Sequence, residues 1–225
     1  MGSHNFRRQF FESSRGRIVG LLRRGGQTVD EIASALELTD NAVRVQLAGM
    51  ERDGLVRRSG LRRGTTRPAH IYELLPETEQ LLSGAYIPLL HQLVRVVAAH
   101  ESAGAFDALI REAGRGLATE LPAHIPDGPL ERRVAAASQL LNQELGALTE
   151  VEKRNDDYVI RGHGCPLAAL TGKQPGVCHA IESLLAELLK TRVHECCDRG
   201  GRPRCCFEVF ASPAQPSGAA RRAKS

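Results

Sequence analysis

The sequence predicts a mainly α chain whose C-terminal part is α+β. Two patterns and one composition shift carry this. Apolar residues recur at helical spacing through most of residues 13–146. Over residues 147–210 short alternating runs flank a single helical pattern. All six cysteines fall in that last stretch, and the first 164 residues contain none.

The first elements lie within residues 13–75. Ser13 or Ser14 can cap a helix whose apolar side holds Ile18, Val19, Leu21 and Leu22, and Gly25-Gly26 ends it. Thr28-Val29-Asp30-Glu31 has the form of a capping box, in which the Thr28 hydroxyl and the Glu31 carboxylate each satisfy the other's backbone N–H. The short helix it opens carries Val29, Ile32, Ala33 and Leu36 on one side. Glu37-Leu38-Thr39 turns the chain, and Thr39 or Asp40 caps a third helix with Val43, Leu47 and Met50 at i, i+4, i+7. Asp53-Gly54 stops it. Residues 55–58 and 70–74 read as strands around the loop SGLRRGTTRPA. Helix, helix, turn, helix, hairpin is a winged helix-turn-helix.

Charge is concentrated on this module. Residues 1–75 hold 13 Lys+Arg against 8 Asp+Glu, and the remainder 17 against 18. A basic module on a near-neutral body is an electrostatic footprint for nucleic acid. The third helix would offer Asn41, Arg44, Val45 and Gln46 to the major groove, where Arg and Asn pair bidentately with guanine and adenine edges. The wing carries Arg62, Arg63 and Arg67, with Arg57 and Arg58 at its base, to meet phosphate or the minor groove. The expected partner is double-stranded operator DNA. TDNAVRVQLAGMERDGLVRR followed by TRPAHIYEL resembles the signature of bacterial winged-helix transcriptional regulators of the ArsR/DeoR-like kind, with Thr66 where the wing's glycine is usual. The resemblance implies a DNA-binding regulator and leaves the signal open.

Residues 76–146 read as helices. The run 77–100 is apolar over much of its surface (Leu81, Leu82, Ile87, Leu89, Leu90, Leu93, Val94, Val96, Val97), and Pro88 should kink or divide it. Such a helix needs cover. The same helix of a second subunit would supply it, making 76–146 a dimerisation region and the chain a homodimer. The alternative cover is intramolecular, from helices at about 102–121 and 128–146. No phosphate loop, Ser/His/Asp arrangement or paired-carboxylate site stands out, so no enzyme activity is expected.

From residue 147 the pattern becomes ββαββ, ending at 210, and residues 211–225 read as a disordered basic tail. The strands fall at 148–152 and 158–161, joined at Asn155-Asp156-Asp157, and at 193–197 and 205–210 around DRGGRPR. Between the two hairpins lies a loop with Cys165, then a helix opening at Cys178. Strand alternation puts Val193, Glu195 and Cys197 on one face, and Cys205, Phe207 and Val209 on one face of the return strand. A hairpin symmetric about Gly201 sets Cys197 opposite Cys205, both toward the helix. Cys165, Cys178, Cys197 and Cys205 are then the candidate metal ligands, and Cys196 and Cys206 point away. A one-residue slip would exchange Cys197 for Cys196 and leave Cys206 as the other alternate.

The first residues show no apolar h-region, and no apolar run approaches the length of a membrane span, so a cytoplasmic chain without a membrane partner is expected. Clustered thiols in that compartment more often hold metals than structural disulfides. No C-x2–4-C zinc knuckle exists, and the C-x12-C spacing suits a centre whose ligands come from separate elements. HGCPLAALTGKQPGVCHAIESLLAELL followed by GGRPRCCFEVF is similar to the C-terminal part of the winged-helix repressors of the Suf iron–sulfur assembly operon. Cys165 and Cys178 match that family's first pair, and Gly201, Arg204 and Cys205 match its G-x-x-R-C segment. Where the family has its third cysteine this chain has Arg192, so Cys196 or Cys197 must stand in, or a non-cysteine ligand must. The resemblance implies a repressor whose operator affinity responds to a 4Fe–4S or 2Fe–2S cluster. Zinc is the alternative cofactor, and a thiol-redox, zinc- or small-molecule-sensing regulator the alternative function.

Overall fold

The computed structural model describes residues 8–63, 68–122 and 124–211, so Thr66, Arg67 and the tail from 212 lie outside it. The chain divides into two compact units, residues 1–85 and 86–225.

In the first unit, α1 (Ser14–Leu22) is capped by Ser13, whose hydroxyl accepts from the Gly16 N–H at 3.1 Å. The two-residue strand β1 (Gln27–Thr28) leads into α2 (Val29–Leu36) through a capping box with both bonds made: Thr28 N–H to Glu31 Oε2 at 2.8 Å and Glu31 N–H to the Thr28 hydroxyl at 3.3 Å. Glu37, in the left-handed region at φ +55°, turns the chain, and Thr39 caps α3 (Asp40–Arg52). The hairpin β2 (Val56–Arg62) and β3 (Ala69–Leu74) follows, then α4 (Pro76–Leu82). The sheet runs β1-β3-β2, all antiparallel. Ile18, Val19, Ile32, Val43, Leu47 and Met50 form a fully buried core where the three helices meet, closed by Val56 and Tyr72 from the sheet.

Three features differ from the sequence reading. β1 is too short to show periodicity, but its residues pair with Ile71 and Tyr72. β2 runs on through Arg62, because an irregularity between Arg58 and Gly60 lets pairing continue into the expected loop. The helix break falls at Ser83-Gly84-Ala85, not at Pro88. Pro88 sits in the first turn of the next helix, where the backbone N–H has no intrahelical acceptor to lose.

The second unit holds α5 (Tyr86–His100), α6 (Ala103–Glu120) and α7 (Leu130–Glu144), then β4 (Thr149–Arg154) and β5 (Asp157–Gly162). A short α8 (Ala168–Thr171) and a 3-10 turn at Pro175–Val177 occupy what reads as loop, followed by α9 (Cys178–Leu189), β6 (Val193–Glu195) and β7 (Cys206–Val209). The four strands make one antiparallel sheet, β4-β5-β7-β6. β6 and β7 are shorter than the expected runs, but pairing continues past them: Cys196 N–H donates to the Cys206 carbonyl at 2.8 Å, and Asp198 bridges Arg204. This register is symmetric about Gly201.

One face of the sheet, with Tyr158, Ile160, Phe207 and Val209, packs on Leu184, Leu185 and Leu189 of α9 and Val134 and Leu141 of α7. Each fully buried Leu or Ile here contributes about 1.5–3 kcal/mol. α6 lies close along α9, with Gly114 against the backbone of Ala180. α5 contains no buried residue, and Tyr86, Ile87, Leu89, Leu90, Leu93 and Val96 are exposed. Among the described residues no single helix is long and apolar enough to cross a membrane.

Candidate functional site

Two regions carry functional chemistry, one in each unit. In the first, Val43, Leu47 and Met50 bury one side of α3 and so fix which side is presented. That side holds Asn41, Arg44 and Val45, all exposed, with Gln46 partly so; Val45 is 64% exposed. Val45, unburied between Arg44 and Gln46, contributes nothing to this core, yet its methyls suit contact with a thymine methyl. Arg44 makes no ion pair among the described residues. The wing arginines are more constrained. Arg62 pairs with Glu31 and donates to the Gly26 carbonyl at 3.1 Å. Arg58 pairs with Glu51 at 3.1 Å and lies over the Tyr72 ring, and Arg57 is 3.8 Å from Glu73. Arg63 is exposed, and Arg67 lies outside the described residues. The backbone N–H of Thr28 and the Arg62 guanidinium hold the Glu31 carboxyl below its ordinary range.

The second region is built on the β6–β7 hairpin, the start of α9 and the loop after β5. Cys196 and Cys206 are joined by a disulfide on one side of the hairpin. Cys165, Cys178, Cys197 and Cys205 are not in disulfides. Cys165, Cys178 and Cys205 line one small apolar cavity of about 10 Å³ with Leu141, Leu145, Ile181 and Phe207. The Cys197 sulfur lies within 4.8 Å of the Cys178 sulfur, and Cys197 stands opposite Cys205 in the hairpin register. The Cys197 sulfur also accepts from the Cys206 N–H at 3.3 Å. Cys165 has a second aspect, toward an open cleft of about 510 Å³ with His163 and Arg202 on its walls.

The sequence reading passed over Glu195 as a site residue. The sulfurs of Cys178 and Cys197 and a carboxylate oxygen of Glu195 all lie within 4.8 Å of one another. Only 6% of the Glu195 side chain is exposed. It accepts from the Cys197 N–H at 2.5 Å and pairs with Arg199. Burial would raise its carboxyl, but bonds from Cys197 and Arg199 outweigh this and hold it below the ordinary value. The Cys178 thiol is pushed up, first by the neighbouring Cys197 thiol and then by burial. Cys197 is pushed up as well: contact with Cys178 lowers it, but Cys205 and burial outweigh that. The signal for Glu195 was in the alternation, which put it on the face of Cys197.

A charged network backs the site. The Glu195 N–H donates to Glu182 Oε2 at 2.7 Å, and the other Glu182 oxygen accepts from Arg111 at 2.5 Å. Arg111 also bonds Asp107 at 2.8 Å, and Asp107 pairs with His179, the neighbour of Cys178. α6, α9 and β6 are thus tied together through side chains beside the thiols.

The fold of the first unit, with its exposed third helix and wing, defines a winged helix-turn-helix DNA-binding module. Residues 12–58, covering α1 to the start of β2, match the family described as bacterial regulatory protein, arsR family. The chain therefore carries an arsR-family regulator domain, and its cysteine-rich region has the donors to bind a metal. No curated protein matches the chain.

Proposed function

We propose that this protein is a homodimeric transcriptional repressor whose operator affinity responds to an iron–sulfur cluster held by Cys165, Cys178, Cys197 and Cys205. The single observation that carries the reading is the pairing of an arsR-family domain with four non-disulfide cysteines gathered from three separate elements. Thiolates from separate elements around an apolar pocket are a donor set that suits an iron–sulfur centre. Such a cluster, when bound, supplies a group sensitive to oxidants and to iron supply. Similarity to the Suf-operon repressors favours tighter DNA binding by the loaded form.

The residues give a physical route to the response. A 10 Å³ cavity is room for about one water. The loop with Cys165 or the hairpin with Cys197 and Cys205 must open for the four sulfurs to hold anything larger. Glu182 and Arg111 join that hairpin to α6, so its movement is felt by the helices. The apolar side of α5, uncovered within the chain, suits the same helix of a second copy. Half-sites must sit about 34–36 Å apart, so small changes in dimer geometry alter affinity. A working switch needs a coupling of about 1–3 kcal/mol, roughly 5–150-fold.

The test is anaerobic purification with iron, sulfide and visible absorption, followed by operator titration of loaded and stripped protein. Loss of the visible band in Cys165→Ser, Cys178→Ser and Cys205→Ser, with weaker operator binding by the stripped dimer, is the expected result. A colourless protein, or equal affinities of two folded dimers, overturns the reading. The Cys196–Cys206 disulfide favours a second reading, a thiol-redox regulator without a cluster. That reading requires operator affinity to change on reducing metal-free protein, and to stop changing in Cys196→Ser.

A further inference from the structure

We propose that the same region, when it holds no cluster, binds a single divalent cation of the zinc or ferrous type through Cys178, Cys197 and Glu195, with Cys205 as the fourth donor and Cys165 left out. The proposal rests on reading the cysteine region as a metal centre, but not on that centre being iron–sulfur.

The argument is one of distance. In a tetrahedral site with metal–sulfur bonds of about 2.3 Å, neighbouring sulfurs sit ~3.8 Å apart, and a sulfur and a carboxylate oxygen slightly closer. The donor atoms of Cys178, Glu195 and Cys197 already lie within 4.8 Å of one another. A contraction of about 1 Å at most, within reach of side-chain rotation, brings them to one ion. Cys205 lies opposite Cys197 in the hairpin register and is the thiol available for the fourth position. The four-thiol arrangement needs the reverse, an opening of the 10 Å³ cavity. One donor set thus contracts onto a single ion, and the other expands around a cluster.

The surroundings of Glu195 are those of a metal carboxylate. It is nine-tenths buried beside the thiols of Cys178 and Cys197. Its orientation is set by the Cys197 N–H and by Arg199. The Cys197 sulfur is oriented by the Cys206 N–H. Outer bonds of this kind hold ligands in place. Cys165 shares the small cavity with Cys178 and Cys205, but neither Glu195 nor Cys197 lines that cavity or the open cleft beyond it.

Cobalt(II) is the probe, added to full-length protein stripped of metal and kept reduced under anaerobic conditions. One equivalent per chain should bind, giving visible ligand-field bands and a near-ultraviolet sulfur-to-cobalt band, and zinc should displace it. Glu195→Gln keeps an acceptor for the Cys197 N–H and should weaken cobalt binding at least ~10-fold. Glu195→Cys should keep the ion and strengthen the sulfur-to-cobalt band, which a merely structural Glu195 could not do. Cys165→Ser should bind cobalt as the natural protein does. Iron–sulfur reconstitution of the same variants should show the opposite pattern, lost in Cys165→Ser and retained in Glu195→Gln. Failure of reconstitution in the natural protein sinks the cluster reading alone. The single-ion proposal is overturned if the natural protein binds no cobalt, if Glu195→Gln binds it unchanged, or if Cys165→Ser loses it equally.

Discussion

Gly114→Ala in α6 should destabilise the protein although it replaces glycine inside a helix. The local expectation is the opposite, since alanine is favoured over glycine in a helix interior by about 0.5–1 kcal/mol. The structure overrides it. A methyl at Gly114 would lie 2.0 Å from the Ala180 carbonyl oxygen and 2.8 Å from its carbon. Those are backbone atoms of α9 and cannot rotate away, so the helices must separate by about 1 Å. Overpacking of this kind costs about 1–3 kcal/mol. Gly116, two residues on, has nothing within 4 Å of its added methyl and serves as the internal control. Gly116→Ala should gain the helix preference, and the two variants should differ by the packing cost of about 1–3 kcal/mol. For a chain of this size that is a gap of roughly 2–12 °C between melting temperatures. Thermal and urea unfolding of the stripped, reduced protein measure it. Equal melting temperatures for the two alanine variants would refute the close approach of α6 and α9. A separation of these helices should also pull on the Asp107–His179 and Arg111–Glu182 pairs beside the thiols.

Three further outcomes test other parts of the molecule. Thr28→Ala removes one arm of the capping box and should cost about 0.5–2 kcal/mol in urea unfolding, with Thr28→Ser recovering most of it. Arg44→Ala should lower affinity for a specific operator by about 1–3 kcal/mol, while Arg63→Ala weakens specific and random DNA alike and reduces the salt slope by about one contact; fluorescence anisotropy at several salt concentrations separates them. Asp107 is held below its ordinary carboxyl value, first by Arg111 and then by His179. Its contribution is therefore present above the unfolded-state value of 3.8 and lost as pH falls through the lower folded value, so Asp107→Asn should flatten the acid limb of a stability–pH profile.

The N-terminal unit was legible because its signals are local. A cap and its acceptor stand three residues apart, and Val43, Leu47 and Met50 declare their side of α3 by spacing alone. The hairpin register followed from alternation and the turn about Gly201 for the same reason. Pro88 misled because a proline's effect depends on where the helix begins, and Ser83-Gly84-Ala85 set that. What sequence spacing alone could not supply is distance across the chain. Arg62 lies 31 residues from Glu31 and yet pairs with it. Arg111 lies 71 residues from Glu182 and is bonded to it. Gly114 carries no mark in the sequence, and only the approach of α9 makes it irreplaceable. Glu195 read as one more charge on a short strand until folding buried it beside Cys178 and Cys197. The sequence by itself determined most of the elements, their faces and the crowding of thiols, since these depend on neighbours a few residues away. Tertiary packing alone decided which donors meet, because donor distances of a few ångströms are set by how helices and strands close around a shared core.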